Sequence, residues 1–152
     1  MIMTNPVTFC TWKAEFALGL PEVDAEHQRF FEIMNELHGA MLRGNADAQV
    51  ASTLCSLTAY ATNHFEHEER ALAEVGYPQL HVQRKQHQWF LAQMQQLALS
   101  NRESSRGALS FMKDWLVEHI LGTDKKYAVW IAAQAHLFPS GFHLESLARR
   151  TR

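Results

Sequence analysis

Apolar residues return every three or four positions through most of this chain, the spacing of one face of an α-helix, and they divide it into four long segments. The first predicted helix runs from about Pro21 to Leu42, with Val23, His27, Phe30, Met34, Leu37 and Met41 on its stripe. Pro21 suits a first turn because its missing N–H loses no hydrogen bond there. Glu22 and Asp24 suit the positive end of the helix, and Gly44-Asn45 ends it. The second helix runs from about Asp47 to Val75, with Val50, Leu54, Leu57, Ala61, His64, Glu68, Ala71 and Val75 on one face; Gly76-Tyr77-Pro78 stops it. The third runs from about Gln79 to Leu99 and turns Leu80, Gln83, His87, Phe90 or Leu91, Met94 and Leu97 inward. Ser100 to Gly107 reads as a loop, within which the fourth helix starts, at about Glu103 to Gly107, and carries Leu109, Met112, Leu116 and His119. Gly122 is expected to bend it, and a last helical segment is expected from about Asp124 to Ala135, before Phe138-Pro139-Ser140-Gly141.

Residues 1–20 lack a helical period and contain Pro6 and Gly19, which predicts an extended arm anchored by Phe9, Trp12 and Phe16. The tail is weakly patterned, and its basic end (Arg149, Arg150, Arg152) is expected to be solvated. With no strand-like alternation and short loops that force neighbours to run antiparallel, the expected fold is all-α. It is an up-down-up-down four-helix bundle over about 22–122, with the arm before it and a short C-terminal helical extension over about 124–152, in one domain of 152 residues.

Composition narrows the function classes. With 14 basic and 16 acidic residues there is no electrostatic case for nucleic acid or an anionic membrane as partner. No apolar run approaches the ~18 residues of a membrane span. Cys10 and Cys55, in a chain read as having no signal peptide, predict reduced thiols and a cytoplasmic location rather than a disulfide framework. Histidine stands out, with nine.

Polar residues interrupt the apolar stripes at particular places. His64 and Glu68, four apart, share one helix face, and an unpaired buried charge there is costly. In an antiparallel bundle, residues early in one helix lie level with residues late in the next. His27, His64, Glu68, His87, His119 and Asp124 therefore converge on one end of the core. Imidazoles with carboxylates and no thiolate suit iron, zinc, copper or nickel, in one or two ions, rather than a structural zinc site. The charge run Glu66 to Arg70 reads as a solvated face with Glu68 the exception. His67 is expected to face water, and His38, His136 and His143 are expected at the surface or core edge.

These landmarks, in this order, resemble the bacterial hemerythrins over roughly Trp12 to Ile131. They are Trp12, then Leu18-Gly19-Leu20-Pro21-Glu22-Val23-Asp24 with His27, then His64-Phe65 with Glu68 and Glu69, then Gly76-Tyr77-Pro78 and His87. The last is Trp115-Leu116-Val117-Glu118-His119-Ile120 with Asp124 and Tyr127. The resemblance implies two non-haem iron ions that bind O₂ reversibly, without catalytic turnover. Glu68 and Asp124 would bridge them. His27 and His64 would hold the iron with an open position, and His87 and His119 the other. Leu116, Trp115, Phe30 and Phe31 would wall the ligand pocket, although plain core packing explains them equally.

The chain departs from the family four residues before His87, where the pattern has a third histidine on the second iron and this chain has Gln83. Gln83 as ligand, a water-filled position, and His81 reaching in through a distorted first turn are all open at this level. His81, ~240° around the helix from His87, points away on an ideal geometry. Read as a stand-alone chain, the protein fits O₂ storage or delivery, with a transient oxygen-consuming enzyme as partner, better than sensing. A di-iron oxidase or a peroxide- or nitric-oxide-reactive enzyme is the alternative. Ferritin-like iron storage ranks last, because Glu-x-x-His occurs nowhere in the chain.

Overall fold

Helix boundaries fall where the sequence places its breakers. The computed structural model describes residues 8–44, 47–98, 103–138 and 142–144. In it α1 spans Pro21–Leu42, α2 Asp47–Glu74, α3 Leu80–Ala98, α4 Glu103–His119 and α5 Lys125–Ala133. Gly44 and Gly76 take the left-handed conformation, at φ 66° and 73°. At Gly76 the Tyr77 N–H reaches back to the Leu72 carbonyl at 2.9 Å, closing the wide turn that ends α2. No side chain caps α1; Asp24 instead accepts the Leu18 N–H at 2.8 Å and so ties the arm to the first turn. Among the described residues no helix is long and apolar enough to cross a membrane. The expected basic end at Arg149, Arg150 and Arg152, and the linker at Ser100 to Arg102, lie outside the described residues.

α1 packs on α2, α2 on α3 and α3 on α4, and α4 closes the bundle against α1 and α2. The larger apolar cluster is built from Phe30, Met34 and Leu37 of α1, Leu57 and Phe65 of α2, Phe90 and Met94 of α3, and Met112 and Leu116 of α4. The arm seals one side of it. Phe16 stacks on Phe31 at 5.4 Å and Trp12 meets Phe31 edge-on at 5.5 Å. Asn35 fastens the arm at Cys10, accepting its N–H and donating to its carbonyl, both at 2.9 Å. A smaller cluster of Val23, Ala71, Leu72, Tyr77, Tyr127 and Ile131 fills the other end. Between the two clusters lies the polar layer that the functional residues occupy. In α1 His27 falls between Val23 and Phe30, and in α2 Glu68 falls between Phe65 and Ala71.

The last helical segment, expected at about Asp124 to Ala135, is α5, Lys125–Ala133, and the turn through Gly122 that leads into it takes a form the sequence does not announce. A π-helical turn, Ile120–Asp124, joins α4 to α5 with the helix unbroken, and α5 ends at Ala133, followed by a short 3₁₀ turn at Ala135–Leu137. The reason is one of phase. His119 and Asp124 are five residues apart, which an α-helix would place ~140° apart around its axis. An i→i+5 turn absorbs one extra residue and returns Asp124 to the inward face. Deleting the exposed Leu121 should therefore restore a regular helix with Asp124 four residues from His119. Circular dichroism and calorimetry should show unchanged helical content and an equal or higher melting temperature, with metal uptake retained. Loss of metal uptake in a folded deletion variant would mean that the wide turn does more than set the phase.

Candidate metal centre

The seven buried polar side chains among the described residues are His27, His64, Glu68, Gln83, His87, His119 and Asp124. They are the same residues that the sequence marks as candidate ligands, and the structure brings all of them together. Four imidazoles present their Nε2 atoms in two pairs. His27 and His64 are 3.2 Å apart, and His87 and His119 are 3.1 Å apart. Each carboxylate faces both pairs. Glu68 places Oε2 3.5 Å from His64 Nε2 and Oε1 3.1 Å from His87 Nε2. Asp124 places Oδ2 3.3 Å from His27 Nε2 and Oδ1 3.0 Å from His119 Nε2. Every oxygen of the two carboxylates is thus assigned to a different imidazole.

The fit to metal ions follows from what these atoms lack. Glu68 Oε1, Asp124 Oδ2 and Gln83 Oε1 are buried and accept no hydrogen bond, although imidazole nitrogens stand close to the two carboxylate oxygens. Unsatisfied buried oxygens cost stability, and they are uncommon in native cores. The groups His27–His64–Glu68 and Glu68–His87–His119 each bring ligand atoms within 4.8 Å of one another, sharing Glu68. Nitrogen and oxygen donors without sulfur match iron and its first-row neighbours.

A second layer holds the rings. His64 Nδ1 donates to Glu26 Oε1 at 3.0 Å, and His87 Nδ1 donates to Glu69 Oε2 at 3.2 Å. His119 Nδ1 donates to Gln86 Oε1 at 2.8 Å, which also accepts the Thr123 hydroxyl. Each bond leaves the Nε2 lone pair for the centre. The Tyr127 hydroxyl donates to Glu68 Oε2 at 2.8 Å. Burial first, then the charges of Glu68 and Asp124, hold the Tyr127 phenol well above its usual range, so it remains a donor. Aromatic faces close the layer: Phe65 lies flat on His87 at 3.9 Å, Trp115 on His119 at 4.5 Å, and Phe30 stands edge-on to His64 at 5.3 Å.

Other sequence expectations sort themselves here. His81 is exposed, so it does not reach the centre, and the helix that carries it begins at Leu80. His67 is half-buried, with its Nδ1 3.5 Å from Glu26 Oε2, and His38 sits at the core edge stacked on Phe9. Phe31 contacts the arm and lines a cleft of about 540 Å³ beside Cys10, Lys113 and Val117, whereas Phe30 and Trp115 touch the ligand rings. Glu69 is a second exception within the charge run, held by His87 and by Arg84 at 3.3 Å. Sequence reading missed the roles of Glu26, Glu69, Gln86 and Tyr127. Glu69 and Tyr127 carried a signal, as landmarks of the resemblance, and Tyr127 also as a polar group three residues past Asp124, whereas Glu26 and Gln86 carried none.

The electrostatics of the cluster favour protonated imidazoles beside its carboxylates. Burial alone would lower the His64 pKa, but the carboxylates of Glu26 and Glu68 raise it to about 10. The same opposition, with Glu68 and Glu69 as partners, leaves His87 raised to about 9. Burial favours the neutral acid at Glu68 and Asp124. At Glu68 the imidazoles of His64 and His87 outweigh it and hold the carboxyl well below its usual range. At Asp124 the adjacent Glu68 charge also pushes upward, yet His119 and His27 bring the carboxyl down to about 2.

Comparison with known proteins is consistent with this geometry. The family model described as the Hemerythrin HHE cation binding domain matches residues 18–131. A bacteriohemerythrin of Clostridium acetobutylicum is 31% identical over 124 residues, covering 76% of this chain and 96% of that protein. A hemerythrin-like protein of Naegleria gruberi is 31% identical over 127 residues, covering 84% and 97%. A bacteriohemerythrin of Stenotrophomonas maltophilia is 27% identical over 130 residues, covering 84% of each.

The raised histidines contribute stability that is complete below their ordinary pKa of 6.5 and lost as the pH climbs through about 9 to 10. Asp124 contributes stability that is complete above 3.8 and lost as the pH falls through about 2. Bound cations replace the imidazole protons, so only the chelator-treated protein should soften on the alkaline side. Melting temperatures of chelated and metal-loaded protein should diverge as the pH rises from about 6.5 toward 10. Parallel curves would show that these histidines do not meet the metal.

Proposed function

The chain belongs to the hemerythrin family, and from that premise we propose that it is a non-haem di-iron protein that binds O₂ reversibly, for storage or delivery rather than turnover. The observation that carries this reading is the double sharing of Glu68 and Asp124, each with one oxygen toward the His27–His64 pair and one toward the His87–His119 pair. Such an arrangement calls for two cations, because a single ion would leave one oxygen of each carboxylate and one imidazole pair unanswered.

In this reading His27 and His64 would hold one iron, His87 and His119 the other, and Glu68 and Asp124 would be shared between them. Iron held there would supply the electrons that reversible O₂ binding requires. The chain's own contribution is geometry and exclusion of water. Glu26, Glu69 and Gln86 keep the Nδ1 protons of His64, His87 and His119 outward, and Tyr127 fixes the plane of Glu68. Phe30, Phe65 and Trp115 are the apolar surface beside the rings, backed by the cluster that contains Leu116, and they keep water from a bound ligand. The acidic partners of His64 and His87 also make those imidazoles more basic ligands.

Elemental analysis should find close to two irons per chain and no haem. The reduced, iron-loaded protein should change its visible spectrum in air and recover under vacuum. Glu68→Ala removes a carboxylate common to both irons and leaves their charge under-compensated. It should abolish the oxygenated spectrum, lower iron content and lower the melting temperature of the iron-loaded form. One zinc per chain with negligible iron, or an intact oxygenated spectrum in Glu68→Ala, would overturn the assignment.

A further inference from the structure

Gln83 is fully buried on the inward stripe of α3, one turn before His87. Its Nε2 donates to Asp124 Oδ1 at 3.1 Å, and that same oxygen lies 3.0 Å from His119 Nε2. This bond fixes which way the amide faces, since the opposite orientation would set its carbonyl oxygen against a carboxylate oxygen. The carbonyl oxygen, Oε1, is then left buried without a partner in the half of the layer that holds His87 and His119. A buried amide oxygen with no donor in reach is suited to a cation.

We propose that Gln83 Oε1 is an exchangeable ligand to the metal held by His87 and His119, and that this half of the centre is a second position where a small monoanion can enter. The inference rests on the di-iron reading above. Its physical basis is the donor set. Each half of the centre has two imidazoles and a share of the same two carboxylates, so Gln83 is the difference between them. A neutral amide oxygen is a weaker donor than imidazole toward iron, zinc or copper, and it yields more readily to water or an anion. Charge favours the exchange. The inner carboxylates, Glu68 and Asp124, carry less charge than two divalent cations, and Glu26 and Glu69 offset the rest only from the outer side of the His64 and His87 rings, so a small anion entering the layer meets the cations directly. Hydrogen bonding to Asp124 keeps the displaced side chain in place, ready to return.

The test compares iron-loaded wild type, Gln83→His and Gln83→Ala, each shown to be folded by circular dichroism. With bipyridine as chelator, wild type should release iron in two phases. The fast phase should be about tenfold or more quicker than the slow one, the scale on which even an outer partner changes metal affinity. Gln83→His should release both irons at the slow rate. Gln83→Ala should keep two phases, with the fast one quicker still. Titration with sodium azide, followed by visible absorption, should saturate at two equivalents in wild type and one in Gln83→His. A single phase in wild type matching Gln83→His, or equal azide stoichiometry in the two, overturns the proposal while leaving the di-iron reading intact. Absence of iron from every variant, Gln83→His included, overturns both. Should Gln83→Ala not fold, the wild-type and Gln83→His comparison decides alone.

Discussion

Two buried carboxylates that must each satisfy partners on opposite sides are the constraint on which this structure turns. Glu68 and Asp124 are both fully buried, and between them they touch all four buried imidazoles. Removing such charges from water costs several kcal/mol each unless they are paired. The four helices must therefore deliver their histidines to one level, or the charges would be stranded. The apolar clusters above and below the layer hold that register. They also exclude the water that would otherwise solvate the carboxylates and weaken every contact in the layer.

The layer is anchored outward as well as inward. Glu26 comes from α1 yet orients His64 of α2, and Glu69 comes from α2 yet orients His87 of α3. Gln86 of α3 orients His119 of α4. Every helix interface in the series is thus crossed by a hydrogen bond that ends on a candidate ligand. A bundle whose interfaces were purely apolar would tolerate small rotations of one helix against the next; here such a rotation would turn an imidazole away from the centre.

Most of the fold was legible because it depends on local signals. Apolar period, Pro21, Gly44 and Gly76 mark where the helices start and stop. Antiparallel order follows from loop length, and the level of the site follows from that order. The buried polar residues of the layer were legible for the same reason, as polar residues on apolar stripes, and Gln83 stood out as a polar residue one turn from His87. What escaped was whatever depends on contacts between helices or on a break in regularity. Glu26 and Glu69 look like solvent-facing charges in the sequence, because nothing local shows that a neighbouring helix brings a ring nitrogen to each. The π turn escaped because helical phase is assumed constant when stripes are drawn. Gly122 drew attention as a breaker, whereas the structure uses Ile120–Asp124 as a one-residue insertion. Phe30 and Phe31 look alike in the sequence, but adjacent residues on a helix point ~100° apart, and the contacts of Phe31 are with Trp12 and Phe16 of the arm.

The stack of Trp115 on His119, at 4.5 Å and 12° from parallel, gives the molecule an internal optical reporter. An indole in face contact with an imidazole loses its excited state when that ring becomes cationic or binds a transition metal. Trp12, Trp89 and Trp130 pack instead on Phe16 and Phe31, on Phe111, and on Tyr77 and Phe138. Trp115 is therefore the indole best placed to respond to a change at His119, and a cation taken up there would be followed in solution, in real time, without a label.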